Sequence, residues 1–232
     1  MSAVIIPMLL LSIYGCTGKD KDVPALRPRK AITVSVGETP IVTESERDTL
    51  LSIARRSIWN VLNPGKKAVA LPVTGGVLNE RRGCMVKLTV DSTIRGATGY
   101  LLPIRPLAEG VAAMAKQAAT GNGRFSGLKP EELDSMIIEL TVVSEPATIA
   151  EESEIRPGIH GLVIEQQYNV GGIFMPAEVA HFPDAKTAVD TLLARSGTTR
   201  EEWSRNEVDI RAFTVEVFRE QKVRPSETAD RK

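Results

Sequence analysis

The chain has 232 residues, is 42% hydrophobic and 25% charged, and sets 29 Lys and Arg against 29 Asp and Glu. That mix suits an ordinary globular protein with room for one large domain or two small ones. Zero net charge argues against a nucleic-acid backbone binder, which needs a positive surplus on one face, and 4% aromatic content leaves few platforms for base stacking.

The side-chain inventory narrows the chemistry. Cys16 and Cys84 are too few for a disulfide scaffold or a structural zinc site. His160 and His181 do not make up the number without carboxylates. No C-x-x-C, H-E-x-x-H, Walker A or G-x-S-x-G motif occurs, so no metal site is assigned and the cofactor is left undefined. Gly121-Asn122-Gly123 is read as a helix cap and turn.

Residues 4–13 are almost all apolar, broken by Pro7, and too short to cross a bilayer. They suit the core of a signal peptide over residues 1–15. Ile13-Tyr14-Gly15-Cys16 resembles a bacterial lipoprotein box, which implies cleavage before Cys16, a lipid on its sulfur and a membrane-anchored place at the cell envelope. The alternative is a short apolar tail on a cytoplasmic protein. Residues 16–42 read as a tether, with an edge strand over residues 32–36.

The domain is expected over residues 43–220. Thr43 and Glu46 predict a capping box, followed by apolar residues at helical spacing from Leu50 to Leu62 and a stop at Asn63-Pro64-Gly65. Arg55 and Arg56 are read as solvated helix face. Cys84, Val86, Leu88 and Val90 alternate with Met85, Lys87 and Thr89, so they predict a strand with one buried face that includes Cys84. Asp91-Ser92-Thr93 turns the chain into a return strand carrying Arg95. A helix is expected over residues 107–120, a short turn at residues 130–133 with Pro first and acids near its positive end, and a strand over residues 136–144. A further strand is expected over residues 162–166, a hairpin turn at residues 169–172, and a helix over residues 185–196 between Asp184 and Gly197. A short turn then buries Trp203. The last strand, residues 208–220, is long enough to cross a central sheet, and residues 221–232 read as a disordered tail. Together these predict an α+β domain with a largely antiparallel sheet and flanking helices.

The order of pieces is similar to the AMMECR-type domain family. The resemblance rests on Ala54-Arg55, residues 83–88, Ile94-Arg95-Gly96-Ala97-Thr98-Gly99, Pro106-Leu107, Arg124-Phe125, residues 138–140, residues 157–161, residues 174–176 and the Phe213 to Phe218 spacing. It implies two unequal lobes with a cleft, and no settled activity. It also implies a cysteine where this chain has Ala97.

The expected site lies around Arg95. Its guanidinium, beside Gly96, Thr98 and Gly99, is a candidate receptor for a carboxylate or phosphate; the competing reading is a strand bulge with a structural ion pair, to Glu139. Arg124 and His160 are further candidate ligand contacts, and His160 is a weak candidate acid or base. The expected partner is a small anionic ligand; protein partners are undefined.

Overall fold

The computed structural model describes residues 24–26, 29–35, 39–72, 75–121, 123–166 and 169–221. Cys16, the segment before it and residues 222–232 lie outside the described residues. Among those described, nine strands form two antiparallel sheets, one per lobe. The larger sheet has five strands: β1 (Ala31–Ser35), β2 (Cys84–Val90), β3 (Thr93–Tyr100), β4 (Ile137–Val143) and β9 (Val215–Glu220), in the order β1-β9-β4-β2-β3. The smaller has β5 (Ala147–Thr148), β6 (Gly161–Gln166), β7 (Asn169–Phe174) and β8 (Asp209–Phe213), in the order β5-β8-β6-β7. The fold is α+β with unequal lobes, as expected.

One face of the five-stranded sheet is covered by helices α1 (Glu44–Leu62) and α2 (Leu107–Thr120). The period of two on the strands puts Val86, Leu88, Ile138, Leu140 and Phe218 beneath them, all essentially inaccessible. Each such side chain contributes about 1.5–3 kcal/mol through burial. Thr43 closes the predicted capping box with Glu46 at the start of α1. Asp91 and Ser92 form the tight β2–β3 turn with positive φ at both positions, the geometry that matches strand twist.

Helix α1 is fastened to β9 at two points. Arg47 donates to Glu216 at 2.5 Å, and Arg55 forks onto Glu220 through Nε at 2.6 Å and Nη2 at 2.5 Å. Eight helical residues span roughly 12 Å and four strand residues roughly 13 Å, so the two spacings match. Both glutamates share the inward parity of Phe218 and are buried. Arg55 and Arg56 are buried too, which corrects the expectation of a solvated helix face. The five N–H groups of Arg55 are all used: besides Glu220 they reach the carbonyls of Ala25, Leu133 and Met136.

In the smaller lobe, α4 (Ala185–Ser196) packs on β6 and β7, following the one-turn helix α3 (Pro176–Val179). Its ends fall where the local chemistry puts them, at the Asp184 cap and the left-handed Gly197. The short α5 (Arg200–Ser204) buries Trp203. Two expectations need correction. The stretch 208–220 is two strands in two sheets, broken at Thr214. Residues 169–172 belong to β7, whose pairing with β6 already begins at Asn169 opposite Gln166.

The break at Thr214 joins the lobes. The Thr214 N–H donates to the Ser144 hydroxyl at 2.9 Å, and the Ser144 N–H donates to the Thr214 carbonyl at 3.0 Å. The ribbon of β4 and β9 therefore passes into β5 and β8. Val143, Val163 and Phe213 are buried together there, with Leu101, Met175 and Val215 packed against them.

Candidate functional site

The face of the five-stranded sheet opposite the helices carries Met85, Lys87 and Thr89 on β2, Ile137, Glu139 and Thr141 on β4, and Val217 and Arg219 on β9. Strand register sets Ala97, Lys87, Glu139, Arg219 and Ile32 side by side in one row across all five strands. A cavity of about 320 Å³ opens on this row, lined also by Thr89, Asp91, Ser92 and Ser135.

The charges on the row are unevenly committed. Lys87 is ion-paired with Glu139. Glu220, at the rim, is held by Arg55 from the other side of the sheet. Arg219 is exposed, and among the described residues its guanidinium has no ion pair and no hydrogen bond. Asp91 is likewise uncommitted on the hairpin turn. An exposed guanidinium beside hydroxyls can receive a carboxylate or phosphate in bidentate fashion.

The residues expected to form the site are split by the fold. Arg95 is paired with Glu132 at 2.7 Å, not with Glu139, which is taken by Lys87. Burial works against the ionised Glu132, but the Lys129 amide and Arg95 overcome it and hold its carboxyl below the usual range. Gly96 faces inward: a Cβ there would lie 2.0 Å from the Ala118 carbonyl oxygen, so the glycine lets α2 close on β3 and offers no open amide cradle. Thr98 shares that inward parity, with its hydroxyl 4.0 Å from Met114 Sδ. Gly99 is exposed on the opposite face, where a Cβ would strike Met85. These four therefore do not converge on one ligand. Arg124 lies over the Phe125 ring, in the loop whose Gly127 N–H donates to the Arg95 carbonyl. His160 precedes β6 in the smaller lobe, with its Nδ1 accepting from the Arg156 N–H at 3.3 Å. It lies in the other lobe from Arg95. His181 follows α3 and is exposed.

Cys84 is fully buried, and burial pushes its thiol up to about 11, so it is held as a neutral small apolar group. Among the described residues no group of three or more His, Cys, Asp and Glu is placed to hold a metal. Sequence reasoning did not single out Lys87 and Arg219 as candidates. Lys87 gave a signal of parity, a cation on the phase of β2 opposite Cys84, Val86, Leu88 and Val90; Arg219 gave none, because the opposite phase of β9 holds Glu216, Phe218 and Glu220.

An α+β protein of two unequal antiparallel lobes, with a charged row on its open sheet face and an alanine at one end of that row, is the class defined so far. The chain belongs to the AMMECR1 family, whose model matches residues 51–218. It is similar to a protein of Methanothermobacter thermautotrophicus, 31% identical over 187 residues that cover 77% of this chain and 96% of the relative. A protein of Methanopyrus kandleri is 29% identical over 189 residues, covering 78% and 91%. The crystal structure of an uncharacterised protein from Pyrococcus horikoshii shares the fold with a TM-score of 0.60 at 26% identity, covering 79% of this chain and 95% of that one.

Proposed function

We propose that this AMMECR1-family domain binds a small anionic ligand on the open face of its five-stranded sheet, with Arg219 as the principal contact. The uncommitted guanidinium of Arg219 above a cavity of about 320 Å³ carries this reading. Thr89, Ser92 and Ser135 supply neutral hydroxyls around it, and the charge of Lys87 is offset by Glu139, which leaves Arg219 as the cation open to a ligand. Arg95 is outside the lining of this cavity and serves as a structural cation fixed to Glu132.

The test is a thermal-shift screen of small carboxylates and phosphate esters on the whole protein. A stabilising compound is expected to bind about 10- to 100-fold more weakly to Arg219→Ala, the loss of one charge-assisted hydrogen bond of about 1.5–3 kcal/mol. The same compound is expected to bind Arg95→Gln within a factor of three. Equal binding to Arg219→Ala and wild type overturns the assignment.

A second reading is supported by Ile13-Tyr14-Gly15-Cys16 and by Ala97 standing where the family resemblance implies a cysteine. In it the domain is a non-catalytic interaction module held at the cell envelope by lipid on Cys16. Intact mass of protein from the membrane fraction of its host tests this. A mass for cleavage before Cys16 plus lipid supports the reading, and an unlipidated full-length mass in the soluble fraction removes it.

A further inference from the structure

A second cavity, of about 340 Å³, lies on the helix side of the larger lobe, between α1 and the segment that enters β1. It is lined by Arg29, Lys30, Arg55 and Arg56 against two acids, Asp48 and Glu220. Three of the charges are deeply enclosed: the side chains of Arg29, Arg55 and Glu220 are 6%, 4% and 1% exposed. Two buried guanidinium groups thus share one carboxylate, with Arg29 at 3.8 Å from Glu220 and Arg55 at 2.5 Å. A buried surplus cation is costly unless an anion offsets it.

Among the described residues the neighbouring acids supply that anion only in part: Glu220 and then Asp134 oppose the lowering of the Arg29 pKa without reversing it. Asp48 Oδ1 is taken by the Ala31 N–H at 2.8 Å. Glu44 pairs with Lys30 at 3.1 Å, with both side chains largely in solvent. Asp134 contributes its carbonyl, not its carboxylate, to the hydrogen bonding of Arg29. Burial first, and the Arg55 charge second, push the pKa of Arg29 down. Its Nη1 and Nη2 donate to the Met136 and Asp134 carbonyls, while Nε is buried with no partner. Ser52 accepts from Arg56 Nε at 3.2 Å, which leaves its own O–H free to donate. The volume equals on the order of ten water molecules, enough for a tetrahedral ion with a small organic substituent.

We propose that this cavity is a binding site for a phosphate group, held by the Arg29–Arg55 positive charge with Lys30 and Ser52 as direct donors. It is separate from the sheet-face site: Glu220 lines both cavities, but the donors differ. The phosphate is either the inorganic ion or that of a small monoester, and the two share this chemistry.

The experiment measures melting temperature of the full chain against increasing inorganic phosphate, and in a second arm glycerol phosphate, each with sodium chloride at matched ionic strength as the reference. A saturable rise with phosphate is expected, and its apparent dissociation constant should increase at least tenfold in Lys30→Gln/Ser52→Ala. Both positions leave the Arg55–Glu220 clamp intact, so the variant should still fold in chloride, with a small drop in melting temperature from the lost Ser52 acceptor of Arg56 and the lost Lys30–Glu44 pair; its phosphate response is read against its own chloride reference. Tighter binding of the ester than of the ion assigns the site to a monoester; the reverse assigns it to the free ion. No saturable rise over chloride in either arm overturns the proposal. So does a rise retained in Lys30→Gln/Ser52→Ala but lost in Arg219→Ala, which would move the ion to the sheet face without harming the reading given for that face.

Discussion

In the five-stranded lobe the carboxylates of Glu216 and Glu220 are sealed beneath α1, whereas in the four-stranded lobe Glu152 and Asp190 meet Arg200 at the surface. Both arrangements join elements distant in sequence, but they work differently. The carboxylates of the enclosed pairs are at most 1% exposed, so removing one partner leaves a largely desolvated charge without its counterion. The Arg200 network is about a third exposed, where water and salt take over much of its role. Ion pairing therefore dictates which residues of α1 and β9 face each other in one lobe, and only trims the other, whose cohesion comes from Leu162, Ile164, Val189, Leu192 and Ile210.

The sharpest way to break this contrast is Arg55→Met, which leaves Glu220 buried without its fork. It is expected to cost about 3–5 kcal/mol, read by urea unfolding. A cost below about 1 kcal/mol would mean that water reaches Glu220 and that the lobes do not differ. Next comes Asp184→Ala, which removes the acceptor for the Thr187 N–H at the start of α4. About 1 kcal/mol is expected, with hydrogen exchange accelerated in the smaller lobe alone. The smallest effect is Arg200→Gln, at most about 1 kcal/mol after allowance for solvent screening.

The third variant also has a pH signature. Hydrogen bonding from Arg200 lowers the Glu152 carboxyl below its ordinary 4.5, and hydrogen bonds from Lys186 and then Arg200 lower Asp190 below its ordinary 3.8. Groups depressed in the folded state contribute stability that is complete above their unfolded values. It fades as pH falls through the folded ones. Acid scans below about pH 4.5 should thus show a shallower loss in Arg200→Gln than in wild type, and parallel curves would contradict the network.

What was legible in the sequence divides along the same line. Thr43 with Glu46, Asp184 and Gly197 announce helix ends because their partners lie within a few residues. The buried alternation of β2 and β4 was readable for the same reason. The depth of Arg55 was not, since its carboxylate lies 165 positions away. One clue was present: Glu216 and Glu220 occupy the parity of Phe218, and their spacing of four matches the spacing of eight between Arg47 and Arg55. The spatial grouping of the candidate residues was hidden for the same reason. The glycines around Arg95 looked like an open cradle, but the Ala118 carbonyl fills the space above Gly96. The row from Ala97 to Ile32 is assembled from five strands and exists only in the register.

The pairing of the first strand with the last has a mechanical consequence. Ala31 stands opposite Glu220, and the Gln221 N–H donates to the Lys30 carbonyl, so the chain enters and leaves the larger sheet at one corner. Force applied across that corner would load the β1–β9 hydrogen bonds one after another, as in opening a zip, instead of shearing them together. The same closeness makes the domain suited to circular permutation, with residues 30 and 221 joined there and new ends opened at the Asp91-Ser92 turn of the β2–β3 hairpin.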